Sequence, residues 1–171
     1  MMNIKVKKYV YKKIASIFIW RIDCTAQNIL KLISIFEFHN ILAIIDTEDD
    51  LSPLFLELKE MGINYATAFN ANNSPYTNVS LLSNPDKFKK IITDAFKYTP
   101  EDIFFVNVND ESQWEKYLQN KTYFQGGKLI ENNGSDLCIS VDIDEFEVGI
   151  TLNNQVYDSS IIVSKIKGLF C

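Results

Sequence analysis

Histidine occurs once in the 171 residues, at His39, and arginine once, at Arg21; cysteine occurs three times, proline four and glycine six. Each scarcity excludes a chemistry. A histidine-bearing catalytic triad could use only His39. One histidine with the scattered Cys24, Cys138 and Cys171 makes no plausible zinc ligand set. An odd cysteine count without CxxC suits free thiols in a reducing cytosol better than a disulfide framework. The nucleophile elbow GxSxG, the dinucleotide fingerprint GxGxxG and the phosphate loop GxxxxGK[ST] are all missing. Gly126-Gly127 is the only paired glycine and lacks the strand, loop and helix context of a phosphate cradle. No apolar run reaches the roughly 18 residues that a membrane span needs. Ile14 to Trp20 follows a lysine-rich stretch, but it is too short for a signal peptide and no cleavage site follows. No catalytic residue, metal ligand or cofactor is assigned.

What is present is apolar and acidic. Apolar residues make up 47% and aromatics 13%, which excludes disorder and supports one domain spanning 1–171 with its own core. The net charge of -5 is unevenly spread. Lys5, Lys7, Lys8, Lys12, Lys13 and Arg21 meet no acid before residue 22, so a basic arm or strand, at about 1–13, precedes an acidic body. From Glu131 to Ser164 there are seven acids and no base. This balance argues against nucleic acid or an anionic membrane as a general partner. Sixteen lysines against one arginine, with abundant Asn and Ile, match AT-rich coding.

Along the chain, Ile14 to Ile22 reads as a buried strand, extended backwards by Ile4 to Tyr11. A helix from about Thr25 to Phe38 places Ile29, Leu30, Ile33 and Phe36 on one face. The nearly continuous apolar run Asn40 to Asp46 reads as a central strand covered on both sides. Ser52, Pro53 and Gly62 punctuate a second helix, and Ile63 to Phe69 and Thr77 to Leu82 read as strands. Asn84-Pro85 opens a third helix, Ile103 to Val108 is another buried strand, and a short helix is expected around Ser112 to Leu118. Asp158-Ser159-Ser160 can cap a last helix carrying Ile162, Val163, Ile166 and Leu169 inward, although its β-branched content leaves a strand open. Strands and helices alternate through about Leu118 and strands cluster after it. The expected fold class is therefore α/β or α+β, with helices packed on a mixed sheet, parallel in the first half and antiparallel in hairpins near the C-terminus.

The sharpest pattern is Ser135 to Leu152. Leu137, Ile139, Val141 and Ile143 hold one parity, and Phe146, Val148, Ile150 and Leu152 the other. The switch falls between Asp144 and Glu145, as a hairpin with those two residues at its turn requires, all eight apolar side chains then sharing one face, although Asp-Glu is a poor turn pair and leaves a bulged or bent single strand open. Its other face sets Asp142 opposite Glu147, with Asp144 and Glu145 at the tip. Such a face suits a cationic partner, and equally a solvated surface that discourages aggregation.

Carboxylates supply the alternative chemistry. In a doubly wound sheet, Asp23, Asp46, Asp49, Asp50 and Asp110 would lie just beyond strand ends, where ligands bind. They could hold Mg²⁺ for phosphoryl transfer or nucleotide processing, with Lys87 or Lys128 nearby. The segment Asn40 to Asn72 resembles the opening of a response-regulator receiver domain: apolar strand, acidic pair, helix ending in glycine, short strand. The phospho-accepting position would be 107, which is Asn, so the segment is read as a shared α/β pattern.

Taken whole, this small, acidic chain without a catalytic set, whose acids lie beside aromatics, resembles the immunity proteins that neutralise bacterial contact-dependent or polymorphic toxins. The resemblance implies a cytoplasmic, non-enzymatic binder of a basic cognate toxin, such as a nuclease, with neither nucleic acid nor membrane as partner. The implied partner-facing residues are Asp142, Asp144, Glu145, Glu147, Asp49, Asp50 and Trp114, with Tyr117 and Tyr157 as further aromatic anchors. A third reading is a regulatory subunit that docks through its basic arm, Lys5 to Lys13.

Overall fold

The computed structural model describes residues 4–36, 40–46, 52–63, 65–69, 75–82, 85–98, 102–107 and 135–170. Local sequence sets most of the helix ends. The Thr25 hydroxyl accepts the Asn28 N–H at 3.3 Å and caps α1, Ala26–Ile33. Helix α2, Ser52–Glu60, stops short of Gly62, whose φ of 65° is left-handed. Helix α3, Pro85–Ala95, starts on a proline whose missing N–H costs nothing there, and a short 3₁₀ turn, Phe96–Tyr98, follows it. The Asp158 carboxylate accepts from the N–H groups of Ser160 and Ile161, which opens α4, Ser159–Phe170, as a helix and rejects the strand alternative.

The strands are β1, Lys5–Tyr11; β2, Ile14–Trp20; β3, Asn40–Asp46; β4, Tyr65–Phe69; β5, Pro75–Leu82; β6, Asp102–Asn107; β7, Leu137–Asp142; and β8, Glu147–Asn153. They form one sheet in the order β1-β2-β8-β7-β6-β3-β5-β4. Every pairing among the described residues is antiparallel. The expected mixed sheet with a parallel first half is thereby overturned, and so is the parallel order that a receiver domain would need.

The physical reason lies in what the crossovers skip. Helix α2 joins β3 to β4, and α3 joins β5 to β6, each linking strands that run the same way. Each crossover leaves one slot empty: β5 fills the first and β3 the second, both running the opposite way. Residues 40–107 thus form a split β-α-β-β-α-β unit of the ferredoxin-like kind. The hairpins β1-β2 and β7-β8 extend its sheet, with β2 pairing on β8 across most of the chain.

The four helices among the described residues cover the same face. Ile29 and Leu32 of α1, Leu54 and Leu58 of α2, Ile91 and Ile92 of α3, and Ile162 and Ile166 of α4 are buried in one core. The inward parity of the sheet completes it with Ala15, Ile17 and Ile19 of β2, Ile103 and Phe105 of β6, Leu137, Ile139 and Val141 of β7, and Val148, Ile150 and Leu152 of β8. Leu169, expected inward, is exposed. Helices α2 and α3 are tied by Lys90, whose Nζ lies 2.8 Å from Glu57 Oε2 and 2.7 Å from Asp94 Oδ2; Lys97 also meets Asp94. Burial works to raise the Asp94 carboxyl, but hydrogen bonds from Lys90 and Lys97 outweigh it and hold the group below the usual carboxylate range.

Candidate functional site

The acidic hairpin forms in the predicted register. Leu137 faces Leu152, Ile139 faces Ile150, Val141 faces Val148, and Asp142 faces Glu147. The turn departs from expectation at one residue. Asp144 and Glu145 are its central pair, and Phe146 N–H donates to Ile143 O at 3.4 Å. The Asp142 carboxylate accepts the Glu145 N–H at 2.9 Å and braces the turn. Phe146, however, has a left-handed φ of 54° and is 51% exposed, not packed inward against Ile143. A bulky residue in that region carries strain on the order of 1 kcal/mol or more. The surrounding contacts hold it: Phe146 O accepts from the Ile22 N–H at 3.2 Å, which moors the tip to the chain just after β2.

Strand register extends this acidic feature. Across the sheet, Lys5, Trp20, Glu147, Asp142, Asp102 and Asp46 occupy successive positions of one row on six neighbouring strands. Adjacent strands are about 4.8 Å apart, so four carboxylate-bearing positions follow one another at that spacing. Like charges in such a row oppose folding slightly and attract cations. Of the strand-end acids, Asp46 joins this row and Asp23 is exposed just beyond β2. Strand β6 runs the other way and ends at Asn107, at the far end of the sheet. The premise that strand ends gather at one ligand site, as in a doubly wound sheet, therefore does not hold. Asp49, Asp50, Asp110, Trp114, Tyr117 and Lys128 lie outside the described residues. Lys87, the other proposed cation, donates to Met61 O at 2.8 Å. Among the described residues no group of three or more histidine, cysteine or carboxylate side chains is placed to hold a metal ion.

The face away from the helices has two characters. Towards β6 and β7, Phe104, Val106 and Cys138 are buried. Towards β1, β2 and β8 the face is more open, with Tyr9, Phe18 and Trp20 forming an aromatic strip. Tyr9 meets Phe18 edge-on at 6.0 Å, and Phe18 stacks on Trp20 at 5.8 Å. Lys5 and Lys7 set their ammonium groups 5.7 and 5.8 Å from the Trp20 ring. Tyr157, named as an anchor, is half-buried and packs edge-on against Phe36 at 6.1 Å.

Both cysteines among the described residues, Cys24 and Cys138, are free and buried. Cys24 Sγ lies 3.6 Å from Ile22 O and 3.7 Å from Asp142 O. Burial, with Asp23 and Asp142 adding to it, pushes this thiol up to about 11. Burial alone pushes Cys138 up to about 12. Neither forms a reactive thiolate at neutral pH.

Sequence reasoning found the hairpin and its four acids and missed Asp102, Trp20 and Phe146 as their neighbours. Asp102 becomes legible once β6 is known to pair antiparallel with β7. Phe146 obeyed the parity rule, so only the turn geometry reveals its exposure. No helix among the described residues is long and apolar enough to cross a membrane. No protein-family model matches the sequence, and neither does any curated protein. Among solved structures, the ligand-free regulatory subunit of aspartate kinase from Thermus thermophilus aligns at a TM-score of 0.27 and 10% identity, over 79% of this chain and 95% of that one, a likeness too slight to argue from.

Proposed function

We propose that this chain is a non-enzymatic, cytoplasmic binding protein that neutralises a basic cognate toxin through the acidic β7–β8 tip. One observation carries the reading: Phe146 stands exposed in a left-handed conformation between Glu145 and Glu147, at the β7–β8 turn just beyond the row containing Asp142. A strained, solvent-facing aromatic flanked in the chain by acids combines the two features a tight binder of a cationic surface needs. The charges accelerate encounter, and the ring fills an apolar recess and slows dissociation. The test is co-purification from the native cell at low and moderate salt, repeated with Asp144→Lys/Glu145→Lys and with Phe146→Ala. A stoichiometric basic partner that arrests growth when expressed alone is expected. The charge reversals should cut its association rate at least tenfold, and Phe146→Ala should speed its release. Partner affinity and salt dependence that ignore all three changes would sink the proposal.

The alternative expected from the sequence is Mg²⁺ held by strand-end carboxylates for phosphoryl chemistry, although no such group is placed to hold a metal among the described residues. It predicts a rise in melting temperature with Mg²⁺ that Asp46→Asn abolishes; the binding reading predicts none.

A further inference from the structure

The open part of the second face is polarised in a way that toxin binding does not require. In the row nearest the tip, Lys5 and Trp20 occupy β1 and β2, while Glu147 and Asp142 occupy β8 and β7. In the next row, Lys7 and Phe18 are followed by Gly149 and Ser140. One half of the patch thus carries cations and large rings, and the other carries acids and small residues. The smallness is enforced at Gly149, where an added Cβ would stand 2.6 Å from Ser140 Oγ. Phe18 leans towards this gap, with a ring carbon 3.9 Å from the same point.

We propose that this face docks on a second copy of the chain, about a two-fold axis that runs along the boundary between β2 and β8. Such an axis lays β1 of one copy over β7 of its partner and β2 over β8. Lys5 then meets the acids at the end of β7 and β8, and the Phe18 ring meets the shallow strip at Gly149 and Ser140. The same exchange happens twice, as a closed isologous contact demands. The in-plane axis perpendicular to the strands would lay Lys5 and Lys7 over their own copies, and the charges reject it. The next row ends on Cys138, which is already buried, so the contact centres on the first two rows. Four strands span about 19 Å, so the interface is small, and the dimer is concentration-dependent and weakened by salt. The Asp144–Glu145–Phe146 tip lies beyond these rows and stays free, so self-association does not rest on the toxin reading.

Sedimentation of the full chain over a concentration series, at low and high salt, tests the proposal. Wild type should dimerise at low salt, and the dimer should weaken at least tenfold at high salt. Lys5→Glu/Lys7→Glu and Glu147→Lys should each sediment as a monomer while melting as wild type does. Mixed, the two variants should restore a dimer, because the lysine introduced at 147 meets the acids introduced at 5 and 7. If Glu147→Lys fails to fold, Glu147→Gln, which weakens the dimer without new charge, replaces it. Wild type monomeric throughout, a dimer indifferent to both variants, or variants that stay monomeric on mixing would each overturn the proposal. A chain that stays monomeric while its aromatic strip binds a labelled single-stranded oligonucleotide would overturn it in favour of base stacking. Toxin binding that survives in Lys5→Glu/Lys7→Glu, which leaves every acid of the hairpin untouched, while dimerisation is lost leaves the functional reading standing.

Discussion

The two faces of β2, β8 and β7 share a backbone and differ in what their side chains do. Facing the helices, Ile17, Ile139, Ile150 and their neighbours are within 1% of complete burial. On the other side, at alternate positions of the same strands, stand Phe18, Trp20, Ser140, Asp142, Glu147 and Gly149, half-buried and chemically mixed. The first face holds the fold together by removing apolar area from water. The second contributes little and tolerates opposed acids that a stability-driven design would avoid. A period of two lets one stretch of chain pack on one face while the other carries charges and aromatic rings.

The contrast can be broken first from the packed side. Ile139→Ala should cost about 2–5 kcal/mol, read from the shift in urea midpoint, because the helices above cannot collapse into the space. Next, Gly149→Ala on the open side should cost about 1–3 kcal/mol through the clash with Ser140 Oγ. Ser140→Ala in the same molecule should recover most of that loss, and a double-mutant cycle measures the coupling. Asp94→Asn, at the helix layer, should cost about 1 kcal/mol, since both lysine partners are largely exposed and screened. Its sign with pH follows from the depressed folded pKa. The unfolded carboxylate binds its proton first as pH falls, so the Asp94 contribution is full above the ordinary carboxylate range and is lost below it. The melting temperature of Asp94→Asn should therefore converge on wild type in acid. Smallest of all, Asp144→Lys should change stability by no more than about 0.5 kcal/mol, whereas the proposed partner binding should fall on charge reversal at the tip. If Asp144→Lys destabilises as much as Ile139→Ala, the division of labour between faces is wrong.

Much of this was readable in the sequence, for reasons that particular residues make clear. The hairpin pairing of Val141 with Val148 and Asp142 with Glu147 follows from alternation alone, because a one-residue slip would turn every apolar side chain to water. The helices at Ser52 and Pro85 were announced by their caps and the one after Thr25 by its apolar periodicity, while the cap at Asp158 left a strand open. Strand order was not readable. The run Asn40 to Asp46 looks the same in sequence whether its neighbours are parallel strands or the antiparallel β5 and β6, since nothing in an apolar run records the direction of its partners. The helical crossovers did signal same-direction strands, and nothing local records that another strand slips between them. At the candidate site, the acids were visible as residues, but their row was not. It exists only through pairings between segments as distant as Trp20 and Glu147.

That last pairing has a consequence for the chain as it is made. Strand β2 emerges from the ribosome well over a hundred residues before β8, its inner neighbour. Until then the β1–β2 hairpin presents Ile17, Ile19, Phe18 and Trp20 along an unpaired edge, the kind of surface on which nascent chains aggregate. Lys5, Lys7, Lys8, Lys12 and Lys13 sit on that hairpin and nowhere near an acid in sequence. Lys8 is later claimed by the last helix, where its Nζ lies 2.7 Å from Ser160 Oγ. Like charges at these five positions repel a second copy of the hairpin, which opposes association along that edge until the final third of the polypeptide arrives to cover it.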